Sequence, residues 1–415
     1  MISKASIYII SGKNPLSAKS GYASYSYNLA NLLTSLGYKV EIFCFGEKDQ
    51  VLKTKIGTIN ILSSTIFFTV LKDMEMAGLI LLAPKLALAL KTVIASPAKG
   101  GAKQSHNYNQ QTIIWGIGPW SLAGAFIKLL KGKKVIFLSD YFTTIKHEFS
   151  GTVSALNMKD YGLWHPLQAW FAYITIVPIY SLLERFLLKF SDKIITHYQS
   201  SETIITSQFG ISNKKYTHLP YVVNLIPKTS HPSNPPLPSN PSIVLVSRHD
   251  GRKGINFLLH AFSILNTRRI QFSASIIGEG KLIKSHQHLS HKLKLKNVNL
   301  LGFVPNLQPY FKKADLFVFP TIEEGSSALA ILEAMKAGLA IVSTNVDGIP
   351  EDLSHGKSAL LVPPGNPQAL ANAMEKLLQN PTLARNLGQN AKKSYYQKYN
   401  LVKVKKEVSE FLNGL

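Results

Sequence analysis

The chain has 415 residues, with 46 Lys+Arg against 23 Asp+Glu, a formal net charge of +23 and a pI near 9.8. At roughly 150 residues per domain this length points to two or three domains, and 46% apolar against 17% charged residues excludes a disordered chain. The positive excess, spread over both halves, calls for anionic partners, while the lone Cys44 excludes a disulfide framework and a cysteine-based zinc site and fits a reducing cytosol.

In chain order, MISKASIYIISGKN holds an apolar run too short for a secretory signal and reads as a first strand. An apolar-periodic helix follows over Tyr22–Leu36, ending at Gly37, and KVEIFCF is the next strand. TIIWGIG leads to a helix from about Ser121, then the strand KVIFLSD, and DKIITHY follows a helix around Leu182–Phe190. The longest uncharged apolar stretch, Ala169–Leu183, is below the ~18 residues a span needs and contains Pro178. A second, Met76–Leu90, contains Pro84 and Lys85, and neither is expected to cross a bilayer. Trp164, Trp170, Tyr173 and Tyr180 suit a segment lying in a membrane interface, and a buried helix of the first domain fits the same pattern. Ser96–Gln111 is a polar loop, and the proline-rich Pro227–Pro241 is the domain boundary. Beyond it SIVLVSR, FSASIIG, VNLLGF, DLFVFP and AIVST are strands separated by helices such as Ile255–Leu265 and Leu329–Ala337. Strands alternating with helices of this length imply βαβ units, hence two doubly wound parallel-sheet domains facing across a cleft. Ligands of such sheets bind outside the strands' carboxyl ends.

Two constellations in the second half carry chemistry. The strand over 243–247 delivers Arg248, then His-Asp-Gly, then Arg252, Lys253 and Gly254 before a helix. Cations after a strand and beside a helix N-terminus make an anion pocket, assigned to Arg248 and Lys253, and a diphosphate fits it. Solvated loop cations are the competing reading for Arg252 and Lys253. In FPTIEEGSSALAILEAMKAG, Glu323 and Glu324 stand at a strand's end, Gly325, Ser326 and Ser327 turn, and Glu333 interrupts an apolar helical run. Carboxylates here would accept hydrogen bonds from sugar or ribose hydroxyls. No Asp-x-Asp pair occurs, and His286, His288 and His291 read as surface residues of a lysine-rich helix, so no metal site is expected. Nucleophile motifs such as G-x-S-x-G are also missing from the sequence.

VSRHDGRKGINFLLHAF, IIGEGKL, LLGFVPNLQPYFKKADLFVFPT, EEGSSALAILEAMKAGLAIVSTNVDGIPEDL and GKSALLVPPGNPQALANAMEKLL resemble, in order, the signatures of GT-B-fold glycosyltransferases of the family 4 type, the glycosyl transferases group 1. The resemblance runs from about Ser242 to Leu378, and SGYASYSYNLANLLTSLGYKVEIF is similar to the family's first strand–loop–helix unit. It implies an acceptor-binding Rossmann-like domain over 1–226, a linker over 227–241, a nucleotide-sugar domain over 242–395, and a C-terminal helix over 396–415 packing back on the first domain. It also implies that Arg248 and Lys253 hold the donor diphosphate and that Glu333 bonds the ribose. Glu324, with Glu323 beside it, would meet the transferred sugar, helped by Gly325 and the amides of Ser326, Ser327 and Ala328. Val304 would offer its backbone to the nucleobase, and Gly21 would approach donor phosphate and acceptor. The sequence departs from the family in two places. Eight residues separate Glu324 from Glu333 where seven are usual, and Ser139 stands where relatives often place His before an Asp, leaving Asp140 as the acceptor-side group. A helix cap or loop carboxylate is the competing reading of Asp140.

The expected activity is thus retaining, metal-independent transfer of a hexose-type sugar from a nucleoside-diphosphate sugar to a glycan or lipid-linked acceptor, with no cofactor. A nucleotide-sugar epimerase or an inverting enzyme of the same fold is the alternative. A basic membrane- or nucleic-acid-binding protein with a vestigial sugar site is the alternative outside enzymes. No nucleic-acid module supports that last reading, and an anionic membrane surface is the better partner for the remaining charge. The expected place is the cytoplasm, peripheral at the inner face of the membrane.

Overall fold

The computed structural model describes residues 5–12, 14–17, 21–46, 48–63, 88, 112–223 and 240–415. The polar loop 96–111, all of 76–90 but Leu88, and all of the linker 227–241 but Asn240 and Pro241 lie outside the described residues.

The described residues of the first domain form an eight-stranded sheet in the order β3-β4-β2-β1-β5-β6-β7-β8. Its strands are β1 (Ser6–Ile10), β2 (Lys39–Gly46), β3 (Gln50–Thr54), β4 (Gly57–Ser63), β5 (Thr112–Ile117), β6 (Val135–Asp140), β7 (Lys193–Thr196) and β8 (Tyr216–His218). Among the described residues only the β3–β4 pair is antiparallel. Alternation along each strand divides the core into two layers. Ile7, Ile9, Ile42 and Trp115 pack on one face, and Tyr8, Ile10, Phe43 and Ile114 pack on the other. The second domain is an all-parallel six-stranded sheet in the order β11-β10-β9-β12-β13-β14. These are β9 (Ser242–Val246), β10 (Ser273–Ile277), β11 (Val298–Leu300), β12 (Leu316–Phe319), β13 (Ala340–Thr344) and β14 (Leu360–Val362). The last helix, Leu401–Asn413, returns to the first domain, where Phe411 meets Trp115 edge to face. Asp352 of the second domain accepts from Tyr198 of the first at 2.7 Å and from Tyr399 and Lys398 at 2.6 Å.

Three local readings of the sequence change in three dimensions. The apolar stretch with Pro178 is part of one helix, Trp164–Phe190, whose 27 residues are long and apolar enough to cross a membrane. Proline lacks an N–H but leaves the remainder of a long helix's ladder in place. His286, read as a surface residue, is fully buried between Tyr161 of the first domain (2.8 Å) and His249 (2.8 Å), and burial lowers its basicity to a pKa of about 3. Asp140, read as an acceptor-side group, does not reach the cleft. It lies at the sealed end of β6, where Tyr25 OH (2.6 Å), Trp115 Nε1 (2.9 Å) and His197 Nε2 (2.9 Å) all converge on its carboxylate. Replacing Asp140 with Ala orphans these buried partners, each costing about 1–3 kcal/mol. D140A is therefore expected to lose about 3 kcal/mol or more of stability, read as a fall in the urea midpoint at unchanged slope.

Helix Trp164–Phe190 turns its one acid inward. Glu184 accepts from Tyr141 OH at 2.6 Å and from Ile145 N at 3.0 Å. Burial pushes its carboxyl up to about 8, the two hydrogen bonds only partly offsetting this. Because the folded chain holds this proton more tightly than the unfolded chain, Glu184 contributes stability that is present below pH 4.5 and lost as pH rises through about 8. Thermal melts of Glu184→Gln at pH 5 and pH 8 should show a shallower loss than the parent across that window.

Candidate active site

The cleft is built from one helix start of the first domain and three loops of the second. After β6 the chain turns at Thr144, whose Oγ1 accepts from His147 N at 3.3 Å and caps helix Ile145–Ala155. That first turn presents His147 and Glu148 to the second domain. Opposite them, β9 runs into Arg248, His249 and Asp250, and a 3₁₀ turn over Gly251–Lys253 ends at Gly254 in the left-handed region, φ 64°. A Cβ at Gly254 would stand 2.1 Å from the Pro320 carbonyl, so only glycine lets this turn lie against the loop after β12. The two loops are stitched together by Ile322 N (2.7 Å) and Thr321 Oγ1 (2.9 Å), both donating to the Arg252 carbonyl.

Arg252 is the centre of the charge cluster. Its guanidinium is buried, donates to Glu148 of the first domain at 3.0 Å, and lies 3.7 Å from both Glu323 and Glu324. Lys253, also buried, pairs directly with the Glu324 carboxylate. Burial lowers the Lys253 amine below its ordinary value, as does neighbouring Arg252, with Glu324 partly compensating. Arg248 is the accessible cation, about half exposed and 3.5 Å from Asp250. Burial alone would raise the Asp250 carboxyl, but Arg248, Arg252 and Lys253 outweigh it and hold the group below the usual range. Glu323 is buried with neither oxygen hydrogen-bonded, and burial pushes it up to about 7 although Arg252 opposes the shift. Asp347 accepts from the amides of Glu324 and Gly325, both at 2.7 Å, and fixes the turn between them.

Several of the sequence-derived residues come together here. Arg248, Lys253, Glu323, Glu324 and the turn Gly325–Ser327 share one rim with the start of helix Leu329–Ala337. The N-cap of that helix, Ala328, has no side chain to satisfy the first amides, and the Ser327 hydroxyl is buried without a partner. This is an anion-accepting end. Gly21 arrives from the first domain with its Cβ direction 4.0 Å from Leu329, so it does face this helix start. Glu333, one turn on, keeps more than a third of its surface accessible, yet enough protein surrounds it to push its carboxyl up to about 7, Lys336 partly opposing. Val304 is half-buried against the second-domain core, on the loop after β11. Reading the sequence alone missed Arg252, His147, Glu148 and Asp347. Arg252 stood next to a chosen residue, but nothing in the pattern told a buried arginine from a solvated one.

His147 Nε2 is 3.2 Å from Asp347 and 3.3 Å from Glu323, and the three donors lie within 4.8 Å of one another. Among the described residues this is the one group whose donors converge as a divalent ion requires. Arg252 supplies positive charge to Glu323, and Asp347 spends one oxygen on two amides. Burial would lower the His147 pKa, but Asp347 and Glu323 outweigh it and hold the imidazole above its ordinary value.

The domains touch through glycines. A Cβ on Gly151 would fall 2.5 Å from Glu323 Cβ, and one on Gly325 would fall 2.2 Å from Thr143 Cβ. Both contacts cross between domains, so Gly151→Ala is expected to wedge them apart. G151A should cut turnover at saturating substrates at least tenfold with little change in thermal midpoint, measured by steady-state kinetics beside calorimetry.

Residues 240–380 match the family model of glycosyl transferases, group 1. An uncharacterized glycosyltransferase of Methanocaldococcus jannaschii is 32% identical over 168 residues, 40% of this chain and 43% of that protein. The matched region thus spans less than half of such a relative. Over their whole length, sucrose-phosphate synthase from Thermosynechococcus elongatus superposes with a TM-score of 0.73 at 19% identity, covering 99% of both chains. Anabaena HepE, solved with UDP and glucose, superposes at 0.70 and 16% identity, covering 99% of this chain and all of that one. The fold is therefore GT-B, two parallel-sheet domains across a cleft. The match to the group 1 glycosyl transferases falls within the second domain, on the segment whose motifs resemble that family.

Proposed function

We propose that the protein is a retaining glycosyltransferase, moving a hexose-type sugar from a nucleoside-diphosphate sugar to a glycan or lipid-linked acceptor without a metal ion. The observation that carries this reading is the cation set Arg248, Arg252 and Lys253 beside the uncapped start of helix Leu329–Ala337. These charges are compensated by Glu148, Glu323, Glu324 and Asp250. A diphosphate would exchange with the Glu324 carboxylate at Lys253, freeing Glu324 to accept from sugar hydroxyls. Glu333, accessible on the helix that starts at Leu329, would accept from the ribose. The presence of UDP and glucose in HepE supports a uridine-type donor.

In the reaction, the bond from the anomeric carbon to the diphosphate oxygen breaks and its electron pair leaves with the diphosphate. The acceptor oxygen bonds the same carbon, and its proton passes to the departing phosphate. Preorganised cations stabilise charge that develops on the leaving group, and binding both substrates in one cleft supplies proximity. Metal independence follows if guanidinium and ammonium groups meet the diphosphate.

Lys253→Ala is expected to weaken donor binding about 100-fold, or about 2.8 kcal/mol. The check is the melting-temperature rise with UDP-, GDP- and ADP-sugars, which tracks affinity. Undiminished shifts in K253A would remove the diphosphate assignment. Proton NMR of the product should show the donor's anomeric configuration, and excess EDTA should leave the rate unchanged. An inverted product would exclude retention, and free monosaccharide epimers would favour an epimerase.

A further inference from the structure

The helix Trp164–Phe190 is built inside out. Glu184 and the buried Ala169, Val177, Tyr180 and Leu187 face the first domain, while an outward stripe runs along Trp164, Leu167, Phe171, Ile174, Ile179 and Leu182. These positions recur at spacings of three to five residues and so share one face over about 27 Å of helix. Exposure is extreme for such side chains, 74% for Trp164, 70% for Phe171 and 69% for Leu182. Soluble domains rarely leave so continuous an apolar face open to water.

The charges at its ends identify the occupant. The stripe carries no acid, and at its C-terminal end Arg185 and Lys189 are exposed. Lys214 is exposed beside them, and Lys193 and Lys215 are tied in there through bonds from Lys193 to the Lys214 carbonyl and from Lys215 to the Lys189 carbonyl. Lys159 is exposed just before the N-terminal end. Tryptophans at one end, an aliphatic and aromatic middle and a cationic far end match an anionic bilayer interface. The helix cannot cross that bilayer while packed as it is. Glu184 is bonded to Tyr141 and Ile145, Phe186 rests on Phe126 with ring centroids 5.3 Å apart, and His165 reaches Ser285 of the second domain at 3.4 Å.

We propose that the outward face of this helix docks in the plane of an anionic lipid bilayer, with Trp164, Phe171, Ile174 and Leu182 inserted and Arg185 and Lys189 at the headgroups. Through Glu184 the same helix holds the start of helix Ile145–Ala155, so docking places His147 and the cleft close to the lipid surface. That a lipid-linked acceptor enters there is the one clause resting on the transferase reading.

The test is co-sedimentation of the full chain with phosphatidylcholine vesicles containing 30% phosphatidylglycerol, beside pure phosphatidylcholine. The parent should bind the anionic vesicles in a salt-sensitive manner. The double variant F171E/I174E should bind at least tenfold less, with unchanged melting temperature and an unchanged shift on adding UDP-sugars. R185E/K189E should lose the preference for anionic over neutral vesicles. The proposal is overturned if the parent ignores vesicles, if F171E/I174E binds as well as the parent, or if that variant melts several degrees lower, which would mean the chain covers this face itself. It is equally overturned if the parent is a dimer in light scattering that F171E/I174E dissociates, with no lipid binding. Vesicle binding by a parent that no sugar nucleotide stabilises upholds the docking surface and removes the transferase reading.

Discussion

A single buried guanidinium holds the two halves of this protein in register. Arg252 is the last but one residue of a 3₁₀ turn in the second domain, yet its strongest partner, Glu148, belongs to the first. A buried cation of this kind is tolerable only when carboxylates surround it, and those carboxylates are tolerable only because of it. Glu323 and Glu324 therefore gather on one side of Arg252, and Lys253 completes the charge balance. The active-site cleft is thus also the domain joint.

That arrangement explains why the carboxylates near the cleft differ. Glu324 is paired with a lysine, Glu323 is buried with no hydrogen bond, and Glu333 is accessible on helix Leu329–Ala337. Burial pushes both Glu323 and Glu333 up to about 7, opposed by Arg252 at the first and by Lys336 at the second. Asp347 acts on backbone instead, holding two amides of the glutamate loop, while Gly151 and Gly325 allow the facing surfaces to approach within what a methyl group would block. Charge supplies the attraction across the joint, and missing side chains supply the room.

Second contacts keep the joint from acting as a simple hinge. Asp352 collects Tyr198, Tyr399 and Lys398, His286 bridges Tyr161 and His249, and Asp160 accepts from His260 at 2.9 Å. Burial alone would raise the Asp160 carboxyl, but hydrogen bonds from His260, Asn157 and Asn256 bring it down to about 2. The helix Trp164–Phe190 is fastened at both ends within this framework, so its apolar face has no route inward.

Much of the architecture was legible in the residues. β-branched runs alternating with amphipathic helices specify parallel sheets, because both faces of such sheets must be buried. Arg248, Lys253 and the Glu323–Ala328 turn could be placed because strand ends and helix starts are local features. Pairing was not legible. Asp140 and Arg252 show this, since one charged residue saturated by Tyr25, Trp115 and His197 and another bridging two domains look alike as letters. His147 and Asp347 lie 200 positions apart, and only the closure of one domain on the other brings them within 3.2 Å. Sequence by itself determined which segments form strands and helices and where cations meet a helix start, because these depend on neighbours a few residues away. Tertiary structure alone decided which charges are buried, which face of the long helix stays wet, and which carboxylates meet in the cleft, because burial and long-range electrostatics depend on neighbours brought together by folding.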